Sequence, residues 1–239
     1  MTVSSQGTYK NLIEMLDNSR KLYADRPLFG TKRDGIYEWT TYEQFAEKVD
    51  DFRGGLASLG VSSGDKVAII SKNTEEWAVS AYATYGLCGQ HIPMYETQLA
   101  KEWEYIVRDC SAKVLLVSNP TVLEQTLDFP ERVDSLEHVV LISGSSSQEV
   151  KTYDDLLKAG RENPVEAQQP ESGSPMGMIY TSGTTGDPKG VILSHRNIIF
   201  ECQAVLPLLG MTENDRSLAF LPWAHVFGQV AEVHGLLNS

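Results

Sequence analysis

The chain has 239 residues, of which 41% are hydrophobic and 22% charged, and its formal net charge is -12. These values are typical of a globular protein that buries a core, in one large domain or two small ones. The acidic balance excludes a general nucleic-acid binder, which needs a basic face, and gives no broad attraction to anionic membranes.

The N-terminal stretch 1–23 is polar, and its apolar positions are spaced as in an amphipathic helix rather than in one continuous run. These positions are Leu12, Ile13, Met15 and Leu16. No segment is long and apolar enough to span a bilayer. The cysteines show no Cys-x-x-Cys spacing, so we expect buried free thiols and a cytoplasmic protein without a disulfide framework or zinc site. They are Cys88, Cys110 and Cys202.

The next predicted elements are a hairpin, a long helix and a strand. Asp34-Gly35 is typical of a hairpin turn, and a helix is predicted from Thr41 to Leu59. The apolar run 66–71 predicts a strand. After it, Asn73 has the spacing of a helix cap with Glu76 three residues on, and the helix that follows places Trp77, Ala81 and Tyr85 on one face.

The middle of the chain continues this alternation. The stretch 91–94 is short and extended, and a helix follows through Trp103, Ile106, Val107 and Cys110. Two further apolar runs, 113–118 and 138–143, predict strands. Apolar strands that alternate with amphipathic helices predict an α/β fold, with a parallel sheet covered by helices on both faces.

Two polar stretches interrupt the alternation. Residues 143–148, which are rich in serine, predict a flexible turn, and 163–175, rich in Glu, Gln, Pro and Ser, read as a linker.

The most informative segment is 178–190, which sets hydroxyl residues and glycines together with a single lysine between two predicted strands, 177–180 and 191–193. Hydroxyl donors, close backbone approach and one cation are what a polyphosphate site needs. A P-loop would have Lys directly after Gly, whereas Lys189 follows Pro188, and the glycine spacing is not that of the Rossmann fingerprint. The alternative is an ordinary surface turn. The proposed phosphate-binding residues are Thr181, Ser182, Gly183, Thr184, Thr185, Gly186 and Lys189.

A second candidate is His225, which lies among apolar and aromatic residues, including Phe220, Trp223 and Phe227. From the residues alone, a buried structural histidine among core aromatics is the simpler interpretation. We expect Ser194 to cap a helix and His195 to orient the turn beside it. No nucleophile with a His-Asp arrangement and no metal-ligand spacing is visible.

The segment Tyr180-Thr-Ser-Gly-Thr-Thr-Gly-Asp-Pro-Lys-Gly190 resembles the signature of adenylate-forming enzymes, which include acyl-CoA synthetases, luciferases and peptide-synthetase adenylation domains. The stretches 191–197 and 220–228 resemble the motifs that follow it in that family, and 39–42 and 64–68 resemble its N-terminal landmarks. Within the family, 221–229 and 194–197 are most similar to fatty-acyl-CoA synthetases.

The resemblance implies ATP with the Mg²⁺ that it carries, coenzyme A, and a carboxylate that is activated as an acyl-adenylate. It implies catalytic roles for Thr184, Lys189 and His225, and a substrate pocket at Trp223, His225 and Phe227. Given this resemblance, a role of His225 in the active site is favoured over a purely structural one.

The resemblance also implies that residues 1–239 form the N-terminal part of an AMP-binding domain, without its C-terminal remainder or the mobile C-terminal domain. We therefore expect little or no adenylation by these residues alone. Alternatives are a non-catalytic nucleotide- or acyl-adenylate-binding module, a luciferase- or peptide-synthetase-like adenylating domain, and a purely structural α/β domain. Peripheral membrane contact is left open.

Overall fold

The computed structural model describes residues 9–181, 187–210 and 212–237. Its main helices and strands alternate along the chain, and three short helical turns, Val226–Gly228 (α), Gln229–His234 (π) and Gly235–Leu237 (α), follow them. In chain order the main elements are α1 (Leu12–Tyr23), β1 (Pro27–Arg33), β2 (Ile36–Thr41), α2 (Tyr42–Ser58), β3 (Lys66–Ile70), α3 (Glu75–Tyr85), β4 (Gln90–Met94), α4 (Ala100–Asp109), β5 (Val114–Val117), α5 (Pro120–Thr126), α6 (Phe129–Arg132), β6 (His138–Leu141), β7 (Lys151–Thr152), α7 (Tyr153–Glu162), β8 (Pro175–Thr181), β9 (Lys189–Ser194) and α8 (His195–Leu209).

Seven strands form one sheet in the order β7-β6-β5-β3-β4-β8-β9, and β1 pairs with β2 as a separate antiparallel hairpin. All neighbours in the large sheet are parallel except β8 and β9. Only residues 182–188 connect β8 to β9, and this is too short for a crossover, so β9 returns antiparallel. The predicted parallel sheet is thus confirmed except at its β9 edge.

The hydrophobic core lies on both faces of the sheet. Alternate residues of β3 point to opposite sides: Val67 and Ile69 pack with α1, α2, α3 and α7, whereas Ala68 and Ile70 pack with α4, α5 and α6. Both sets are fully buried. This alternation confirms the α/β class with helices on both faces.

Local signals fix several elements as predicted. Asp34 and Gly35 adopt positive φ angles of 48° and 83° at the hairpin turn. The side chain of Thr41 caps α2, and Gln44 completes the capping box. Ser194 caps α8 in the same way.

Two expectations are corrected. The cap of α3 is Thr74, whose hydroxyl accepts from the N–H of Trp77 at 3.3 Å, while Asn73 bonds elsewhere. In the same helix, burial extends beyond the face of Trp77, Ala81 and Tyr85 to every residue between Trp77 and Tyr85. The stretch 163–175 packs on the body: Pro170 is buried, and its carbonyl accepts from the side chain of Asn11 at 2.9 Å.

Cys110 and Cys202 are buried free thiols and Cys88 is a half-buried one. In the described part of the chain, no helix combines the length and the apolar character that crossing a membrane requires.

Candidate active site

The carboxyl ends of β3, β4 and β8 meet at one edge of the sheet, because these three strands are parallel neighbours. Ligands of α/β sheets usually bind at this edge. A cleft of ≈ 450 Å³ lies there. It is lined by residues that follow β3 and β4 and by the segment before His225, namely Ser71, Lys72, Asn73, Tyr95, Glu96, Thr97, Ala219, Phe220, Pro222, Trp223 and Ala224.

Thr181 and Lys189 face each other across β8 and β9, at the two ends of the predicted phosphate loop. Both are exposed, and Lys189 makes no ion pair with any residue that the structure describes. An uncommitted cation and a hydroxyl at the carboxyl end of a strand fit an anionic ligand such as a phosphate. The other predicted loop residues, Ser182, Gly183, Thr184, Thr185 and Gly186, lie outside the described residues, and their roles stay predictions.

Tyr180 fixes the end of β8 against the body of the protein. Its hydroxyl donates to Oδ2 of Asp109, the last residue of α4, at 2.6 Å. Burial and this hydrogen bond raise the pKa of Tyr180 well above its ordinary value. The ring also covers Gly190, where an added Cβ would lie 3.0 Å from ring atom Cζ. No sequence pattern points to Asp109, because it lies 71 positions from its partner.

The three predicted pocket residues occupy different surroundings. Trp223 is 3% exposed and packs edge-on against Trp77, with ring centroids 5.5 Å apart. His225 is exposed, and its Nδ1 accepts from the N–H of Phe227 at 3.2 Å, which leaves Nε2 as the nitrogen available to a ligand. Phe227 is 58% exposed. Trp223 therefore has both core and cleft contacts.

A larger cleft of ≈ 790 Å³ lies between the β1–β2 hairpin and residues 212–219. Asn73, Ala219 and Trp223 line both clefts and so form the wall between them. Thr181, Lys189, His225 and Phe227 line neither.

Three buried histidines surround the ring of Tyr85. The ring centroids of His91, His195 and His234 lie 6.4, 5.4 and 6.2 Å from its own. Burial lowers the pKa of His91 to about 3, of His195 to about 4 and of His234 to about 3. Nδ1 of His195 accepts from the N–H of Leu12 at 3.4 Å, so this histidine joins α1 to α8. These neutral side chains belong to the core.

No group of three or more His, Cys, Asp or Glu side chains is arranged to hold a metal ion within 9–181, 187–210 and 212–237. The part of the site that these ranges cover thus offers the cation of Lys189, hydroxyl groups, and a mainly apolar cleft at which Lys72 is paired with Glu96. Such a set can bind an anion and a small organic group side by side.

The mostly parallel sheet with helices on both faces matches the N-terminal domain of adenylate-forming enzymes. The chain belongs to the AMP-binding enzyme family, which matches it over residues 16–239.

Among curated relatives, fatty acyl-CoA synthetase B of Dictyostelium discoideum is 29% identical over 92% of this chain and 35% of its own length. Long-chain-fatty-acid–CoA ligase FadD15 of Mycobacterium tuberculosis is 31% identical over 93% of this chain and 38% of its own length. The chain thus spans little more than a third of the length of these relatives.

Among solved structures, the anthranilate CoA ligase AuaEII, in complex with anthranoyl-AMP, superposes with a TM-score of 0.87 at 25% identity. The match covers 100% of this chain and 45% of that one. A long-chain-fatty-acid-CoA ligase of Archaeoglobus fulgidus shares the fold, with a TM-score of 0.81 at 20% identity. These two curated relatives and these two solved structures are all named as CoA synthetases or CoA ligases.

Proposed function

We propose that the whole protein activates a fatty acid with ATP, forming an acyl-adenylate and then an acyl-CoA. The observation that carries this proposal is the exposed Lys189, which forms no ion pair with a described residue and lies opposite Thr181 at the carboxyl edge of the sheet. The fatty acid as substrate is supported by the names of the curated relatives. The chain spans little more than a third of the length of these relatives, and inactivity of the 239 residues alone stays a prediction.

In the proposed reaction a carboxylate oxygen attacks the α-phosphorus of ATP, and the bond from that phosphorus to the bridging oxygen breaks, releasing pyrophosphate. This reaction depends on positioning and on neutralising charge more than on covalent catalysis. Lys189 would offset the charge that develops on the leaving pyrophosphate. The hydroxyl of Thr181, with those of Ser182, Thr184 and Thr185, would donate to phosphate oxygens.

His225 would contact the carboxylate or the acyl group. Because its Nδ1 already accepts a backbone hydrogen bond, the neutral ring carries its proton on Nε2 and offers a donor there. Trp223 and Phe227 would supply apolar surface for the acyl chain. Mg²⁺ would be carried by ATP, and coenzyme A would accept the acyl group.

We also propose a cytoplasmic location, supported by the acidic composition and by the three free thiols. Peripheral contact with a membrane stays a prediction.

The proposal is tested by ATP–pyrophosphate exchange in the full-length protein with octanoate, laurate, palmitate and anthranilate. Anthranilate is included because the ligase AuaEII resembles this chain closely in fold. We expect exchange with at least one fatty acid to exceed exchange with anthranilate by about tenfold or more. Stronger exchange with anthranilate would overturn the fatty-acid assignment, and nucleotide binding without any exchange would favour a non-catalytic module.

A further inference from the structure

The segment Phe220–Trp223 has no regular secondary structure, yet its backbone is held by side chains from two distant elements. The first is Glu232, on the π-helical turn. Its Oε1 accepts from the N–H groups of Phe220 and Leu221, each at 3.1 Å, and its Oε2 accepts from Nε1 of Trp223 at 3.1 Å. One carboxylate therefore satisfies three donors of this segment.

The second element is the loop after β3, which supplies Asn73. Its Nδ2 donates to the carbonyl of Leu221 at 2.8 Å, and its Oδ1 accepts from the N–H of Trp223 at 3.0 Å. Gln229 adds a third anchor by donating from Nε2 to the carbonyl of Trp223 at 2.8 Å. Five backbone groups of the segment thus have side-chain partners, and an unpaired buried backbone group would be unfavourable.

Glu232 is 6% exposed and forms no ion pair with any described residue. A buried carboxylate without a counter-ion is a weak choice for stability alone, because removing its charge from water is unfavourable. What it does supply is fixed geometry, since its two oxygens orient three donors at once. The carboxylate of Glu232 therefore fixes the conformation of Phe220–Trp223 more than it stabilises the fold.

The shape of this segment matters for the site. Phe220, Pro222 and Trp223 line the smaller cleft, and His225 follows directly, with its N–H donating to the carbonyl of Pro222 at 3.0 Å. The chain also passes close to itself here, because a Cβ at Gly228 would overlap the carbonyl of Pro222. Moving the segment would therefore move both the cleft wall and His225.

We propose that Glu232 and Asn73 are positioning residues that hold the Phe220–His225 segment in the conformation that receives the carboxylate substrate. This proposal rests on the proposed function, because the substrate is the one assigned there. Asn73 lines both clefts and Glu232 lines the larger one, and the role proposed for them acts through the segment that they hold. Their effect is on the carboxylate rather than on ATP, because their partners lie in the segment before His225 and not in the β8–β9 hairpin.

The test uses Glu232→Gln and Asn73→Ala in the full-length protein, with Glu201→Gln, at an exposed position of α8, as the matched control. The glutamine amide turns an N–H toward Nε1 of Trp223, so one acceptor is lost with little change in volume. We expect the KM for the fatty acid to rise about tenfold or more in both variants, while the KM for ATP stays within about twofold and the control matches the wild type. A wild-type KM for the fatty acid in both variants, or an equal rise for ATP, would overturn the proposal.

Hydrogen–deuterium exchange provides a readout that does not need activity. We expect peptides covering 219–225 to exchange about tenfold faster in both variants, with the rest of the chain unchanged. Unchanged or uniformly faster exchange would overturn the positioning role. If the wild type catalyses no ATP–pyrophosphate exchange in the presence of any of the carboxylates, the proposed function fails. The hydrogen–deuterium exchange result then decides alone whether Glu232 and Asn73 position the segment.

Discussion

At the scale of single residues, the three histidines around Tyr85 have the clearest consequence for stability. Burial keeps His91, His195 and His234 neutral in the folded protein, with pKa values of about 3, 4 and 3 against 6.5 for an ordinary histidine. Below pH 6.5 the unfolded chain therefore binds more protons than the folded one. Stability is present above that pH and falls as the pH falls toward these lowered values.

We predict that unfolding in urea at pH 5.5 requires about 3 to 4 kcal/mol less free energy than at pH 7.5, since each histidine contributes about 1.4 kcal/mol over one pH unit. Most carboxylates remain ionised in this range and contribute little. His195→Gln should remove about a third of the pH dependence. Equal stability at both pH values would contradict the neutral state of these side chains.

At the scale of elements, helices α2 and α7 come into direct backbone contact through glycines. A Cβ added at Gly160 would overlap the carbonyl of Asp51, and one at Gly55 would overlap the carbonyl of Leu156. No other residue fits at this crossing, which joins α7 to the face of the sheet that carries α1 and α3.

We predict that Gly160→Ala lowers the free energy of unfolding by about 3 kcal/mol, because the helices must separate to admit the methyl group. Gly173→Ala is the matched control: no atom lies within 4 Å of its added Cβ. The control should change stability by less than about 0.5 kcal/mol in the same urea titration. Similar losses in both variants would mean that the tight helix crossing is not the cause.

Elements with local signals were predictable from the sequence. The Asp34-Gly35 turn, the capping box at Thr41 and the apolar runs of the strands depend on neighbours a few residues away. At Asn73, prediction from neighbouring residues fails. Its spacing to Glu76 satisfies a capping pattern, but its partners Leu221 and Trp223 lie 148 and 150 positions away. These contacts exist only in the folded chain, where Thr74 rather than Asn73 caps α3.

In the candidate site too, some parts can be predicted from the local sequence and others depend on contacts between distant elements. The composition of 178–190 predicts a phosphate loop between two strands. The strands β8 and β9 lie on either side of it as expected, and its binding of phosphate stays a prediction. Glu232 and Asp109 were missed, since each acts through contacts between elements rather than through a motif. The composition of 163–175 predicts a linker, yet hydrogen bonds to Asn11 and Arg53 hold this stretch against the body of the protein.

At the scale of the whole molecule, large apolar side chains are exposed along the β9 edge and on α8. Ile192 is 61% exposed and Phe200 66% exposed, and β9 has a strand partner on one side only among the described residues. Exposed edges and apolar patches of this kind promote association.

We predict that the 239-residue chain, purified by itself, self-associates when measured by size-exclusion chromatography with light scattering. Ile192→Lys should shift it toward the monomer, because a charged edge strand resists pairing. Thr31→Lys, on the separate β1–β2 hairpin, is the control and should not change the mass. A monomeric wild-type chain over the micromolar range would contradict this prediction.

In the proposed function, the loop between β8 and β9 holds the phosphates of ATP, with Lys189 as its cation. The most direct measurement is carboxylate-dependent ATP–pyrophosphate exchange by the full-length protein, comparing the wild type with Lys189→Ala. We predict that the variant loses about 100-fold in exchange rate, because the charge on pyrophosphate is no longer offset, with an unchanged melting temperature. Exchange at the wild-type rate in Lys189→Ala would contradict the claim.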